Sequence, residues 1–228
     1  HDVQGLGPLS VDDWREALTH VLFARFDMKG NAQDYYDPRN SYLNDVLERR
    51  LGIPITLSVI YLEVAWRAGA RVAPVSFPGH FLVRLYGSGK DELFVDPFNE
   101  GRALSTDDLH QQLRRTLGDD HASQVSLADA MSGVSKREVL ARMFRNLVAI
   151  YAGNDDLGNA LQVADLAVRL LPSGASEFRT RGLLYWRVGH ASAAHADLTN
   201  YRQLAPAAPD GGEVDWLLAR LATEATAP

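Results

Sequence analysis

The hydrophobic pattern of the N-terminal third of the chain predicts helices separated by polar turns. Apolar residues recur three or four positions apart between Trp14 and Leu22, which indicates a first helix starting at Ser10. Ser41 is suited to cap a second, short helix. A third helix is predicted over 54–68, because Pro54 suits the first helical position. This segment is apolar on most sides, so we expect it to be buried.

Strand-like runs follow the third helix. Residues 72–76, 81–86 and 93–96 are rich in apolar side chains, and Gly87-Ser88-Gly89-Lys90 is a turn sequence between the last two runs. We therefore predict an antiparallel hairpin. If its turn is centred on Ser88, His80 faces Asp96 with Cβ atoms about 5 Å apart. The same register predicts two further cross-strand pairs, Leu82 with Phe94 and Arg84 with Glu92.

His80 and Asp96 are the candidate catalytic residues, because a carboxylate beside an imidazole fixes its tautomer and raises its basicity. Ser58 lies one helical turn beyond Pro54 on roughly the same face and is the candidate nucleophile. A structural alternative stays open for each residue. The His80–Asp96 pair would then satisfy two half-buried polar groups, and Ser58 would hydrogen-bond a backbone carbonyl.

The C-terminal part of the chain is helical and repeats itself every 34 residues from Phe144 onward. The matching positions are Phe144 with Phe178, Tyr151 with Tyr185, Ala160 with Ala194, and Pro172 with Pro206. This period resembles the tetratricopeptide repeat (TPR), with copies at 144–177 and 178–211 and a capping helix around Val214. An unrelated helical bundle is the alternative. We expect a first domain at 1–118, a linker at 119–134 and the helical repeats at 135–228.

Composition excludes several classes of protein. The 228 residues carry 23 basic and 29 acidic side chains, a net charge of −6, which disfavours nucleic-acid binding. Cysteine is absent, so disulfides, thiolate nucleophiles and cysteine-bound zinc are excluded. Apolar stretches stay shorter than the roughly 18 residues of a membrane span, and the first five residues lack a leader pattern. These features predict a cytoplasmic protein without membrane or nucleic-acid partners.

A family resemblance lies in strings around the candidate residues. They are Asp34-Tyr35-Tyr36-Asp37-Pro38-Arg39-Asn40-Ser41, Asn44, Glu48-Arg49-Arg50-Leu51-Gly52-Ile53-Pro54-Ile55, Leu57-Ser58, Pro78-Gly79-His80-Phe81 and Asp96-Pro97-Phe98. Together with the repeats they resemble the SirB-one family, which joins a transglutaminase-like domain to TPR-like repeats. The resemblance implies an α+β, papain-like N-terminal core with a small antiparallel sheet, followed by an all-α repeat region.

The resemblance also bears on chemistry. In thiol members of the wider superfamily, a cysteine sits two residues after the glycine that opens the buried helix. Aligning Gly52 with that glycine places Pro54 in the cysteine position, and proline cannot act as a nucleophile. The chain is therefore expected to be a non-thiol binding or regulatory protein, a pseudoenzyme. The alternative is an enzyme, a hydrolase, transferase or biosynthetic protein, that uses His80 and Asp96 as acid and base.

Further polar and aromatic residues are candidates for contacts in a cleft. They are Asn40, Asn44, Glu48, Arg50, Tyr36 and Arg84. A solvated helix face or a cover for the core is the alternative role of such residues. We expect a protein or peptide partner in the groove of the repeats and a small-molecule ligand near His80. No cofactor and no metal are expected, because the histidines are scattered and no short ligand spacing is present.

Overall fold

The computed structural model describes residues 9–224. Residues 1–8 and 225–228 lie outside the described range. The expectation that the N-terminus has no leader and the outer limits of the two predicted domains concern these residues. The chain divides into two compact units between Val139 and Leu140. No helix within residues 9–224 is both long and apolar enough to cross a lipid bilayer.

The first unit combines helices with a small sheet. Its helices are α1 (Val11–Thr19), which continues as a π-helical turn (His20–Arg25), α2 (Leu43–Arg49), α3 (Pro54–Ala68), α4 (Thr106–Leu117), α5 (Asp119–Ala122) and α6 (Leu127–Ala130). Its strands are β1 (Lys29–Gly30), β2 (Leu51–Gly52), β3 (Arg71–Val75), β4 (Leu82–Tyr86), β5 (Glu92–Asp96) and β6 (Arg102–Leu104). The predicted α+β fold with a small antiparallel sheet is confirmed.

The four-stranded sheet is covered on both faces. Strands β3, β4, β5 and β6 lie side by side in chain order, each antiparallel to the next. Val83 and Val95 on one face share a core cluster with Tyr61 of α3, which is completely buried. Leu82 on the other face shares a second cluster with Leu109 of α4. Alternate residues of each strand therefore face opposite cores, which explains the nearly continuous apolar sequence of β4.

The hairpin register differs from the predicted one. Val83 lies opposite Val95 and Arg84 opposite Phe94, so Arg84 does not directly face Glu92 and Leu82 does not face Phe94. The turn is centred on Gly89 instead of Ser88. Gly89 has a φ of +67°, a conformation that glycine adopts without steric cost, whereas Ser88 has a side chain.

Several elements were not predicted from the sequence. Strand β6 has three residues, too few to show an alternating pattern, and β1 pairs with β2 in parallel over two residues. Segment 119–134 contains α5 and α6, and Ala130 belongs to the core cluster beneath the sheet. The capping role predicted for Ser41 is wrong. Tyr42 is the residue that precedes α2, and the Ser41 hydroxyl is buried without a hydrogen-bond partner.

The second unit consists of helices, as the repeat pattern predicts. They are α7 (Lys136–Gly153), which begins at the end of the first unit, α8 (Leu157–Leu170), α9 (Ala175–Arg187), α10 (Ala191–Leu204) and α11 (Gly211–Glu224). Both bounds of α10 lie 34 residues after those of α8. Ala160 and Ala194, which match across the repeat, are completely buried. Their small side chains let neighbouring helices approach closely.

Candidate functional site

The candidate site is built around His80 and Asp96. Asp96 is the last residue of β5, and His80 lies in the turn that precedes β4. Their side chains approach to 2.8 Å between Nε2 of His80 and Oδ2 of Asp96. Both residues are buried, with exposed fractions of 9% and 4%. The predicted pair is thus present, although the actual register places it at the strand ends and not within the ladder.

Gly79 allows the turn that carries His80. Its φ is +66°, and an added Cβ would lie 2.6 Å from Cγ2 of Thr116. Any side chain at this position would therefore both strain the backbone and collide with α4. The His80 amide then donates to the carbonyl of Phe77 at 3.0 Å, which closes the turn.

The carboxylate of Asp96 is held by donors other than His80. Oδ1 accepts from the amides of Phe98 and Asn99 at 3.0 and 3.3 Å, and Oδ2 accepts from Nδ2 of Asn99 at 2.6 Å. Burial by itself raises the pKa of Asp96, but the contacts with His80 and Asn99 outweigh it and hold that pKa below the ordinary range. Asp96 is therefore ionised at neutral pH and fixed in place.

The contact between His80 and Asp96 is close but poorly aligned. Nε2 of His80 is buried, and its N–H bond does not point at Oδ2 within hydrogen-bonding angles. The two side chains are therefore in close contact without the alignment of a hydrogen bond.

Aromatic rings extend from His80 toward solvent. The ring of Phe98 meets His80 edge-on at 6.1 Å and Tyr35 at 6.2 Å, and Tyr35 meets Tyr36 at 5.3 Å. Tyr36 is 72% exposed. Gly30 makes room for this arrangement, since a Cβ there would lie 2.7 Å from the Phe98 ring. The predicted contact residue Tyr36 is therefore connected to His80 through two intervening aromatic rings.

The start of α3 is tied to the segments that surround the site. Pro54 is its first residue, and Oγ1 of Thr56 accepts from the Ile53 amide at 3.1 Å and donates to the Asn40 carbonyl at 2.8 Å. Ser58 is completely buried, and its hydroxyl donates to the carbonyl of Phe81 at 3.2 Å. Ser58 thereby links α3 to the residue directly after His80.

The other predicted contact residues have separate positions. Asn40 is completely buried and holds its own loop, donating from Nδ2 to the Asp34 carbonyl at 2.7 Å. Arg84 pairs with Glu92 and lies over the rings of Tyr86 and Phe94. The remaining three, Asn44, Glu48 and Arg50, are exposed on α2 or at its end. Among the described contacts, none joins these five residues to His80.

Asn99 and Phe98, which complete the surroundings of the pair, were not predicted as site residues. Their signal was local, because Asp96 followed by Pro97 is typical of a residue that caps a helical turn and accepts from the next amides. Within residues 9–224, no three His, Asp or Glu side chains lie close enough to hold a metal ion.

Two protein families match this chain, and their boundaries agree with its architecture. The family described as transglutaminase-like superfamily matches residues 7–145, and the family described as tetratricopeptide repeat matches residues 147–219. Among solved structures, the crystal structure of PcrH from Pseudomonas aeruginosa matches with a TM-score of 0.34 and 18% identity, covering 53% of this chain and 96% of that one.

Related proteins match across both regions. A UPF0162 protein of Xylella fastidiosa (strain 9a5c) is 45% identical over 190 residues, which are 83% of this chain and 67% of that protein. Human F-box only protein 21 is 30% identical over 184 residues, which are 76% of this chain and 28% of that protein. Because the first family pattern covers more than half of the sequence, and a UPF0162 protein is matched over two thirds of its length, this chain belongs to the transglutaminase-like superfamily and has the UPF0162 proteins as relatives.

Proposed function

We propose that this chain is a binding or regulatory protein built on a transglutaminase-like domain without thiol chemistry, as its likeness to the SirB-one family implies. The observation that supports this proposal is Pro54 at the first position of the buried helix α3. This is the position that the resemblance assigns to the nucleophilic cysteine. The proline side chain has no nucleophilic atom, and the sequence contains no cysteine to take its place. Transfer of an acyl group through a thioester is therefore outside the chemistry of this chain.

Ser58 is a poor substitute for the missing thiol. Its side chain is completely buried, and its hydroxyl proton is engaged by the carbonyl of Phe81. A substrate carbonyl reaches this hydroxyl only if α3 separates from the segment after His80. The contacts of Ser58 fit the structural alternative, in which it fastens α3 to the site.

The test restores the thiol. In Pro54→Cys the new cysteine is the sole thiol of the protein, so its titration is followed by the ultraviolet absorbance of the thiolate. We expect its pKa to fall well below the ordinary value of about 8.5, because it lies at a helix N-terminus beside the His80 region. Ser58 donates to the residue after His80, and α3 packs against the turn 97–99 that follows Asp96.

Two controls make this experiment specific. Thr106→Cys places a thiol at the first position of α4 and reports the effect of a helix N-terminus without His80. His80→Ala in the Pro54→Cys background removes the imidazole. The proposal that position 54 is the vacated nucleophile position is contradicted if a thiol there has the same pKa as the thiol at position 106, both with and without His80.

An enzyme that uses His80 as acid or base is the second candidate function. It is supported by the 2.8 Å approach of Nε2 to a carboxylate that Asn99 holds ready. A panel of activated esters and amides tests it. Turnover that His80→Ala abolishes, while thermal unfolding and circular dichroism stay unchanged, establishes an enzyme. Equal rates for the wild type, His80→Ala and buffer leave the binding role as the function of this domain.

A further inference from the structure

The second unit has a continuous groove along its odd-numbered helices. One cavity of about 400 Å³ is lined by residues of α7 and α9, and one of about 570 Å³ by residues of α9 and α11. Arg179 and Leu183 of α9 line both cavities, so the two are halves of one groove. Each half has a volume within the range that is typical of ligand sites.

The residues of the groove follow helical spacing. On α7, Arg145 is followed by Ala149 and Ala152, and on α9, Arg179 is followed by Leu183 and Arg187. Side chains three, four or seven positions apart share one face of a helix. Each helix therefore presents guanidinium groups beside a small or aliphatic floor.

Arg145 and Arg179 each pair with a carboxylate and remain partly exposed to solvent. Arg145 pairs with Glu177, whose side chain is 2% exposed, while that of Arg145 is 42% exposed. Arg179 pairs with Asp210 in the same way, with exposed fractions of 39% for the arginine and 21% for the aspartate. Each guanidinium has several N–H donors, and these contacts use one nitrogen of each group. The carboxylates thus orient the arginines, and both arginines line the groove with donors that these contacts leave unused.

Two tryptophans stand beside the arginines. Trp186 of α9 and Trp216 of α11 line the larger cavity and are 39% and 60% exposed. Large exposed aromatic side chains are uncommon on a surface that contacts only water, and tryptophan and arginine are enriched where binding energy concentrates. The groove therefore combines apolar contact area with guanidinium donors, and Glu213 is the one carboxylate among the described residues that line its two cavities.

We propose that the groove binds an acidic peptide segment in which two or more carboxylates accompany a large apolar side chain. The carboxylates accept from Arg145 and Arg179, and from Arg187 in place of or beside its present contacts with Asp155 and the Ala152 carbonyl. The apolar side chain packs on Trp186 and Trp216. Arginine suits this task because its planar group binds a carboxylate through two parallel hydrogen bonds. This inference names the chemistry of the partner and rests on the binding role proposed above.

Three fluorescein-labelled peptides test the proposal on the full chain by fluorescence anisotropy. The first repeats Asp-Trp-Glu-Leu, the second Lys-Trp-Lys-Leu and the third Asp-Ser-Glu-Gly. We expect the first to bind about tenfold or more tightly than the other two, because only it satisfies both parts of the groove. Its affinity should also fall with added salt. Equal binding of all three peptides, or binding of none, overturns the proposal.

Matched variants locate the binding. Arg187→Gln and Trp216→Ala should each weaken the first peptide about tenfold. Both side chains are well exposed, so neither variant is expected to unfold the helices. Arg169→Gln and Leu166→Ala change exposed residues of α8, outside the residues that line the groove, and should leave affinity unchanged. Equal losses in both sets of variants contradict the assignment of the groove.

Other occupants give distinct results. If a second copy of the chain occupies the groove, the protein forms a concentration-dependent dimer. Trp216→Ala then dissociates this dimer, whereas addition of the first peptide does not. This outcome overturns the peptide proposal. Failure of the peptide experiment leaves the loss of thiol chemistry intact, because the Pro54→Cys titration tests that proposal in the other unit.

Discussion

Replacement of Asp96 by Asn should destabilise the first unit in a way that depends on pH. The variant keeps one acceptor for the backbone amides of Phe98 and Asn99, which in the wild type donate to Oδ1 at 3.0 and 3.3 Å. At the position of Oδ2 it places an NH₂ group opposite Nδ2 of Asn99, which donates to Oδ2 at 2.6 Å, and 2.8 Å from Nε2 of His80. Because the His80 contact is not aligned as a hydrogen bond, we count only the Asn99 contact as a lost hydrogen bond to a charged acceptor.

The size and pH dependence of the loss follow from this count. A hydrogen bond to a charged group contributes about 1.5–3 kcal/mol, so we expect Asp96→Asn to lower the free energy of unfolding by that amount at pH 7. The pKa of Asp96 lies below its ordinary value, so its stabilisation is complete above the unfolded value of about 3.9. The stabilisation is lost as pH falls through the folded pKa. The difference between variant and wild type should therefore shrink below about pH 4.

Urea titrations from pH 7 downward, followed by circular dichroism, measure the effect. Asp91→Asn is the matched control, because Asp91 is exposed in the loop between β4 and β5. The reasoning is refuted if Asp96→Asn costs no more than Asp91→Asn. It is equally refuted if the difference stays constant as the pH drops.

Two further predictions concern the hairpin turn and the repeats. Gly89→Ala should cost about 1 kcal/mol, because alanine is strained at a φ of +67°, whereas Ser88→Gly should change little; the opposite order in urea titrations would support the turn centred on Ser88. Arg181→Met should cost about 3–5 kcal/mol, because it leaves Asp197, whose side chain is 6% exposed, without its cationic partner. The double variant with Asp197→Leu should recover most of that loss, and no recovery in thermal unfolding contradicts this explanation.

Local chemistry determined the helices that the sequence predicts well. Pro54 and Gly69 mark the two ends of α3, and the structure has this helix at Pro54–Ala68. The first helix likewise starts where the pattern predicts it, and the structure has a capping box of Ser10 with Asp13 there. Such signals involve residues within one or two turns, so no knowledge of the rest of the fold is needed. The repeat period was also readable from the sequence alone, because the second copy has the same residue types 34 positions after the first.

The site was only partly accessible from sequence. His80 and Asp96 were predicted as a pair, and they do meet, but the register that suggested it was displaced because Gly89 and not Ser88 is the turn centre. Asn40 was expected to contact a ligand, yet its side chain is buried and holds a loop. Whether a polar residue faces solvent or binds backbone depends on segments far away in sequence.

The sequence by itself determined the fold class, the 34-residue repeat and the absence of any thiol in this protein. Only the tertiary structure decided that Phe98 reaches Gly30 and that Ser58 is engaged by Phe81. These contacts join residues through turns and packing, whose geometry short-range patterns do not encode. The physical reason is that burial and hydrogen-bond partners are properties of the assembled chain, whereas helix ends and repeat periods are properties of neighbouring residues.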